Sequence, residues 1–337
     1  MRKILLASVF IILTFNTFAQ IDTAALSAKL EQAKTKLGKH IAVALYKDGK
    51  IFYKKESADY NIKKQESINA SSQWLTAAVV MIFVQEGKLS LDDKVSKYIP
   101  LFAKHGKSYI TIRHCLTHNT GIEAGKFYQK GNFSTLEEEV NTYASKREIE
   151  TNPGTEFKYS NMGSRIAARV IEIIGKRAFD RLAAEKLLRP LMMRGSTFTS
   201  ESGNDAPDPS MGGISTAADY ANFLGMILNK GMFNGKQILT EESIKTLLSL
   251  TAPSDKQKNV PAEVQGLDYA FGSWIIEKNA KGPSAFATSS LNGHWAMVDI
   301  CRGYALVIFA DKADKEMKKE FYMDIKQVID KNVPACN

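Results

Sequence analysis

The hydroxyl groups with a claim to chemistry are Ser71 and Ser72, which stand at the head of a long apolar run. A serine becomes a nucleophile when a base lies within hydrogen-bond reach. On a helix, a lysine three residues on would supply that base, because three residues are about one turn and the two side chains meet. No serine of this chain has lysine at that spacing. Helix capping is the competing role for both hydroxyls, since serine is a favoured N-cap. His114 and His118 are four residues apart and could share a helix face. They lack a third ligand and the HExxH frame, so neither a metal nor a cofactor is expected.

The elements that must hold these groups follow from periodicity. Ile21 to Leu37 reads as an amphipathic helix, opened by Asp22 or Thr23 and stopped by Gly38. Ile41–Tyr46 and Ile51–Tyr53 flank Lys47-Asp48-Gly49-Lys50 and read as a hairpin. Trp74 to Glu86 is a buried helix ended by Gly87. A mostly helical stretch follows to about residue 250, with Lys107–Gly121 and Ser164–Ile174 as its clearest helices. Strands return at Tyr269–Glu277, Ala296–Cys301 and Tyr304–Ala310, the last two joined by an Arg302-Gly303 turn. Lys315 to Asp330 closes the chain as an amphipathic helix.

The predicted fold is therefore α+β, an α/β sandwich. Both hairpins pair in one antiparallel β-sheet, the terminal helices cover one face, and the Trp74 helix covers the other. A helical subdomain is inserted between the strands. The sheet region is placed at about 20–65 and 265–337 and the helical region at about 70–250, within a single domain spanning 20–337. The same geometry addresses the cysteines. A strand of about 3.3 Å per residue from Tyr304 and a returning helix of about 1.5 Å per residue bring Cys336 back to Cys301. A Cys301–Cys336 disulfide is expected, with Cys115 a buried thiol.

Five segments, in order, resemble the serine β-lactamase and penicillin-binding-protein-like hydrolases, the β-lactamase-related group. They are Leu75–Met81; Glu86–Asp93 with Lys97–Pro100; Ile110–Gly121, close to T-I-R-H-L-L-T-H-T-S-G; Pro153-Gly154-Thr155 with Tyr159-Ser160-Asn161, a Y-x-N motif; and Gly212–Ala217 with Asp219. The resemblance runs from about residue 40 to 311 and implies a β-lactamase/transpeptidase-like fold. It implies an S-x-x-K serine nucleophile and lysine, the Y-x-N tyrosine as a second proton-transfer group, and an acyl-enzyme intermediate.

The sequence departs from that pattern where S-x-x-K-W-L-T-A should stand. Ala70 occupies the nucleophile position and Gln73 the lysine position. Alanine has no nucleophilic atom, and a carboxamide neither titrates nor accepts a proton near neutral pH. Tyr159 remains as the candidate catalytic side chain and Asn161 as a substrate contact, while Ser160 between them points away. Ser71 and Ser72 are the alternative nucleophiles, roughly 100° and 200° around the helix from Ala70. The third family motif is irregular. Its candidates lie in Thr288–His294, with Ser290, Asn292, Gly293 and His294 as expected substrate contacts.

The 337 residues carry 45 Lys plus Arg against 36 Asp plus Glu, a net charge of +9. No basic cluster sits beside an aromatic platform, so a nucleic-acid partner is not expected. Arg2 and Lys3 precede an apolar run, Ile4–Phe15, and small residues at Thr17 and Ala19. That is the anatomy of an export signal over 1–19, cleaved near Ala19, and it predicts a periplasmic or extracellular protein. No later segment reaches 18 apolar residues, so no membrane span is expected in the mature chain. The expected partner is a small-molecule or peptide ligand, such as a peptidoglycan fragment. Nothing in the sequence sets an oligomeric state. The reading is an exported hydrolase homologue with impaired chemistry; the alternative is an active hydrolase of esters, amides or D-amino-acid peptides using Ser71 or Ser72.

Overall fold

Asp22 opens the chain's first helix by accepting the Ala25 N–H at 2.8 Å. That helix, α1 (Thr23–Leu37), repeats Leu26, Leu30, Ala33 and Leu37 along one buried stripe. The computed structural model describes residues 21–57, 59–123, 133–199, 207–289, 293–311, 319–333 and Cys336. The expected export signal lies outside the described residues. Strands β1 (Ile41–Lys47) and β2 (Lys50–Glu56) form the expected hairpin. Its two turn residues, Asp48 and Gly49, both have positive φ, as a two-residue turn matched to strand twist requires.

The late strands differ from the sequence reading in two places. The expected single strand Tyr269–Glu277 is two, β3 (Asp268–Tyr269) and β4 (Trp274–Asn279). The chain turns between them, closed by the Ala270 N–H on the Ser273 carbonyl. A strand not expected, β5 (Gly282–Ser289), follows. Gly282, Pro283 and its small side chains give it little strand signature, and its pairing on both sides supplies what composition does not. Strands β6 (Trp295–Asp299) and β7 (Tyr304–Ala310) complete one antiparallel sheet in the order β3-β4-β5-β6-β7-β1-β2. Strand β7 lies beside β1 with Ile41 opposite Ala310, which joins the two ends of the chain.

Alternation along these strands makes two cores. Val43, Leu45, Leu306 and Ile308 face outward under α1 and a closing helix. Ala42, Ala44, Val307 and Phe309 face inward. The helix α2 (Ser72–Gln85), entered through a 3-10 turn at Asn69–Ser71, is buried nearly all round, as expected for the Trp74 segment. It does not cover the inner face of the sheet. That place is taken by a later helix, Ala217–Leu228, whose Gly225 lets it approach closely: a Cβ there would lie 2.4 Å from the Tyr46 ring. Trp74 meets that helix edge-on at Phe223, so α2 forms the layer behind it.

The expected helix Lys107–Gly121 is reduced to α3 (Ile112–Leu116). Thr111 and His114 cap its start reciprocally, and His118 ends it in the left-handed region at φ 55°. Next come α4 (Leu136–Lys146) and α5 (Met162–Gly175), which contains the expected Ser164–Ile174 helix. The Ala217–Leu228 helix is α6, and α7 (Lys319–Asp330) closes the outer layer. No helix among the described residues is long and apolar enough to cross a membrane.

The outer layer is fastened at its base. Lys326 of α7 is 1% exposed, and its Nζ lies 2.7, 2.8 and 2.6 Å from Glu277, Asp299 and Asp330. Arg302, in the β6–β7 turn, pairs with Glu277 and Asp299. Beside this cluster Cys301 and Cys336 form the expected disulfide, with Cα atoms 5.3 Å apart. Cys115 is a buried free thiol, and burial pushes its pKa up. A cross-link closing 35 residues should stabilise by about 3–4 kcal/mol on the chain-entropy account. Reduction, or Cys336→Ser, is expected to lower the urea midpoint by that free energy; a midpoint unchanged by dithiothreitol would show that the cross-link contributes nothing.

Candidate active site

The amino end of α2 is pinned from three sides. The Ile68 N–H donates to the Gly213 carbonyl at 2.9 Å, and the Gly213 N–H returns to Ser72 Oγ at 2.9 Å. Thr76 Oγ1 donates to the Pro209 carbonyl at 2.6 Å. On the sheet side, Gly272 (φ 84°) presses on the helix backbone; a Cβ there would lie 2.7 Å from Trp74 Cα. Only glycine fits both that approach and that φ.

The loop that pins α2 is itself held by ions. Arg165 of α5 makes a two-point bond to Asp208, with Nε to Oδ1 at 3.1 Å and Nη2 to Oδ2 at 2.5 Å. Its Nη1 bonds Glu139 of α4 at 2.6 Å, and Tyr143 donates to the same carboxylate. Burial draws the Asp208 carboxyl upward, but Arg165 and Ser210 outweigh that and hold it below its ordinary value. Close contact between α5 and α3 is equally specific: a Cβ on Gly163 would fall 1.9 Å from the Cys115 carbonyl oxygen.

Within this frame three of the expected residues come together. Gln73, one turn into the helical segment from Ala70, is 2% exposed. Its Nε2 donates to Tyr159 Oη at 3.1 Å and to Asn161 Oδ1 at 3.5 Å. Its Oε1 accepts from Ser164 Oγ at 3.3 Å. Tyr159 and Asn161 reach it because Phe157–Lys158 pairs in parallel with Gln257–Lys258 and delivers the chain to the start of α5. Ala70 is half-buried.

The two alternative serines lie elsewhere on the turn. Ser71 Oγ accepts from Thr288 Oγ1 at 3.1 Å, and the Ser71 carbonyl accepts from Tyr220 Oη. Ser72 Oγ is committed to the Gly213 N–H. Among the described residues, neither hydroxyl is hydrogen-bonded to a lysine, a histidine or a carboxylate. Thr288 on β5 was not singled out as a site residue. Its signal was its place at the head of Thr288-Ser289-Ser290, in the irregular third motif. Ser290 and Asn292 lie outside the described residues. The Gly293 carbonyl accepts from Tyr322 Oη at 2.6 Å. His294 is buried, lies 4.4 Å over Phe309, and accepts the Ala310 N–H on Nδ1; burial pushes its pKa down to about 4.

An aromatic wall backs Tyr159. Its ring lies 4.5 Å from His118 and 5.4 Å from Trp274. His118 Nδ1 accepts the Ser160 N–H at 3.3 Å, so the neutral ring carries its proton on Nε2 and donates to Tyr269 Oη at 2.8 Å. Burial pushes the His118 pKa down to about 3. This histidine sets the Tyr159 loop in place as a neutral group. Glu277, Asp299 and Asp330 lie close enough together to share a cation, but they are on the outer face, and the Lys326 ammonium sits among them. The site thus gathers the Tyr159 phenol and the Asn161 carboxamide around the enclosed Gln73, with the Ser71 and Thr288 hydroxyls bonded to each other on the same helix end.

Residues 39–327 match the family model of the β-lactamases. Protein flp of Staphylococcus aureus is 26% identical over 170 residues, which is 47% of this chain and 34% of the relative, so the match spans about a third of that protein's length. A Bacteroides dorei protein assigned to the β-lactamases superposes with a TM-score of 0.80 at 23% identity, covering 93% of this chain and 99% of that one. A penicillin-binding-protein homologue of Caulobacter crescentus superposes with a TM-score of 0.76 at 16% identity, covering 92% and 97%. These solved structures show the same fold.

Two outcomes follow from this geometry. Arg165→Met leaves Asp208 and Glu139 buried without their cation and is expected to cost about 3–5 kcal/mol of stability, read by denaturant unfolding; a loss under about 1 kcal/mol would contradict the burial of the cluster. An unfolded histidine binds its proton near 6.5, whereas folded His118 does so only near 3. The unfolded state therefore holds more protons between these values, and stability should fall as pH drops below 6.5, by about 1.4 kcal/mol per pH unit for this group. His118→Asn, which tolerates the left-handed backbone, should flatten that slope by one proton; an unchanged slope would place the titration elsewhere.

Proposed function

The chain belongs to the β-lactamase family, and from that premise we propose that it is an exported member that has lost acyl-enzyme chemistry and binds peptide or cell-wall-derived ligands without covalent attachment. The observation that carries the proposal is the set of bonds made by Gln73. A lysine at this place would exchange a proton with a serine at position 70 and with the tyrosine. Gln73 instead gives its amide hydrogens to Tyr159 and Asn161 and takes one from Ser164. A carboxamide can hold these partners in line but cannot relay a proton. With Ala70 one turn away, the cleft keeps its binding groups and lacks the atom that would attack.

The engaged state of the two serines supports the same reading. Ser72 Oγ serves as a backbone acceptor, and relocating it would unpin Gly213. Ser71 Oγ meets a neutral hydroxyl, and a base is what activates a serine. Ligand recognition would fall to Tyr159 and Asn161, with Thr288 near the end of β5. The penicillin-binding-protein homologue among the structural relatives makes peptidoglycan peptides the first ligands to try.

Labelled penicillin and a fluorophosphonate probe, read by intact mass, should leave the protein unmodified, while titration with peptidoglycan fragments should give saturable binding weakened by Asn161→Ala. A covalent adduct lost in Ser71→Ala or Ser72→Ala would establish the active alternative. Ala70→Ser combined with Gln73→Lys should restore acylation, and adding Tyr159→Phe should slow it by about 10²-fold or more. A folded double variant that takes no label would mean the cleft has lost more than these two side chains.

A further inference from the structure

The side chains assigned to ligand recognition are enclosed. Tyr159 is 4% exposed, Asn161 9% and Thr288 2%. A ligand reaches groups this covered only when a neighbouring element moves. The cover over the Tyr159 ring is a small core of its own, separate from the two that flank the sheet. Phe157, Tyr159, Tyr269 and Trp274 stand on one side of it. Ala252 and Val264 come from the segment 252–268, with Val260 and Leu267 packed beside them.

That segment is a loop closed at its neck. The Tyr269 N–H donates to the Ala252 carbonyl at 2.9 Å, and the Thr251 N–H donates to the Tyr269 carbonyl at 2.8 Å. Loops whose ends meet in this way pack on their own side chains. Much of the bonding here turns inward. The Ser254 N–H donates to Asp268 Oδ1 at 2.7 Å, and Gln257 Nε2 donates to the Ala252 carbonyl at 2.8 Å. Single 3-10 turns at Ser254–Lys256 and Ala262–Val264 complete it. A body bonded to itself keeps its shape when it leaves its seat.

The seat is narrow. Gln257–Lys258 pairs with Phe157–Lys158 over two residues, and the Tyr159 N–H donates to the Lys258 carbonyl at 3.2 Å. Lys258 Nζ lies 2.7 Å from Glu156, but the lysine side chain is 61% exposed, and such pairs contribute little. At the far end Lys319 of α7 donates to the Gln265 carbonyl. Val264, 1% exposed, is the apolar plug. A two-residue pairing and one buried valine are a small part of what holds the seven-stranded sheet, so this unit can open while the sheet stays folded. We propose that residues 253–267 form a lid, hinged at the Ala252–Tyr269 neck, that lifts off the Phe157–Tyr159 segment to admit a ligand to Tyr159 and Asn161. The proposal rests on the reading of that site as a ligand cleft. Opening breaks the pairing at Lys258, withdraws Val264 and leaves the Gln73–Tyr159 bond in place.

The test is amide hydrogen exchange of the native protein without ligand, read residue by residue by NMR. The Tyr159 N–H, whose acceptor is on the lid, should exchange about 100-fold or more faster than the amides that pair β1 with β7. Lys158 and Lys258 are partners across the seat. Neighbouring strands are about 4.8 Å apart, so Lys158→Cys with Lys258→Cys can form a disulfide. That cross-link should slow Tyr159 exchange about tenfold or more. Lys258→Glu, set against Glu156, should speed it about threefold, and this variant decides the question if the cysteines fail to pair. A Tyr159 amide as slow as the sheet amides would overturn the lid, and so would a rate that neither change alters. In a second arm, a synthetic muramyl pentapeptide titrated by calorimetry should bind the cross-linked protein about tenfold or more weakly than the unmodified chain; equal affinity would overturn the lid. Fast, cross-link-sensitive exchange with no muramyl pentapeptide binding to either protein would uphold the lid and refute the ligand reading.

Discussion

Everything near the candidate site depends on the burial of a neutral carboxamide. Gln73 is almost fully enclosed, and a buried polar group left without partners costs about 1–3 kcal/mol. Its amide and carbonyl are satisfied by Tyr159, Asn161 and Ser164, which come from a different part of the chain. The α2–α5 interface must therefore form in one register, since a shift of either helix would strand several polar atoms together. An ammonium at the same place would need a compensating charge; a carboxamide needs only geometry. On the proposed reading, a side chain that cannot relay a proton also spares the site a buried ion.

The ions that remain near the site stand one layer further back. Arg165 links α4, α5 and the 208–213 loop through Glu139 and Asp208. Because that loop supplies Pro209 and Gly213 to α2, the cation acts on the site at second hand, by fixing the acceptors and donors that hold the helix end. Neutral His118 does the same on the other side, using both ring nitrogens to join the Tyr159 segment to β3. Among the described residues, charge near the site braces its walls.

The outer face is organised by a different device. Lys326 and Arg302 among three carboxylates make a compact ionic knot under α7, and the Cys301–Cys336 bond closes the chain end over the neighbouring turn. Both features bind the C-terminal helix to the β6–β7 hairpin. The hairpin is joined through β5 to the site at Thr288. The sheet is the common floor on which these separate features rest.

The sequence by itself determined the terminal hairpins, the terminal helices, the buried character of α2 and which functional groups Ala70 and Gln73 lack. Each is local: a turn dipeptide, a repeat of apolar residues, or the absence of an atom. The Cys301–Cys336 pairing was legible too, because strand and helix rises fix where the chain end returns. Tertiary structure decided the rest. The Lys107–Gly121 pattern favours a helix, but His118 must turn its ring onto Tyr269 and takes a left-handed backbone that ends it. Strand β5 exists through its neighbours' hydrogen bonds and not through its composition. The inner face of the sheet went to α6, and not to α2, because Gly225 permits a contact distance that no periodicity encodes. That Gln73 would be fully bonded, and that Thr288 would meet Ser71 across 217 positions of sequence, follows only from which surfaces come to face each other. Side-chain identity fixes what a residue can do, and packing fixes which partner it does it with.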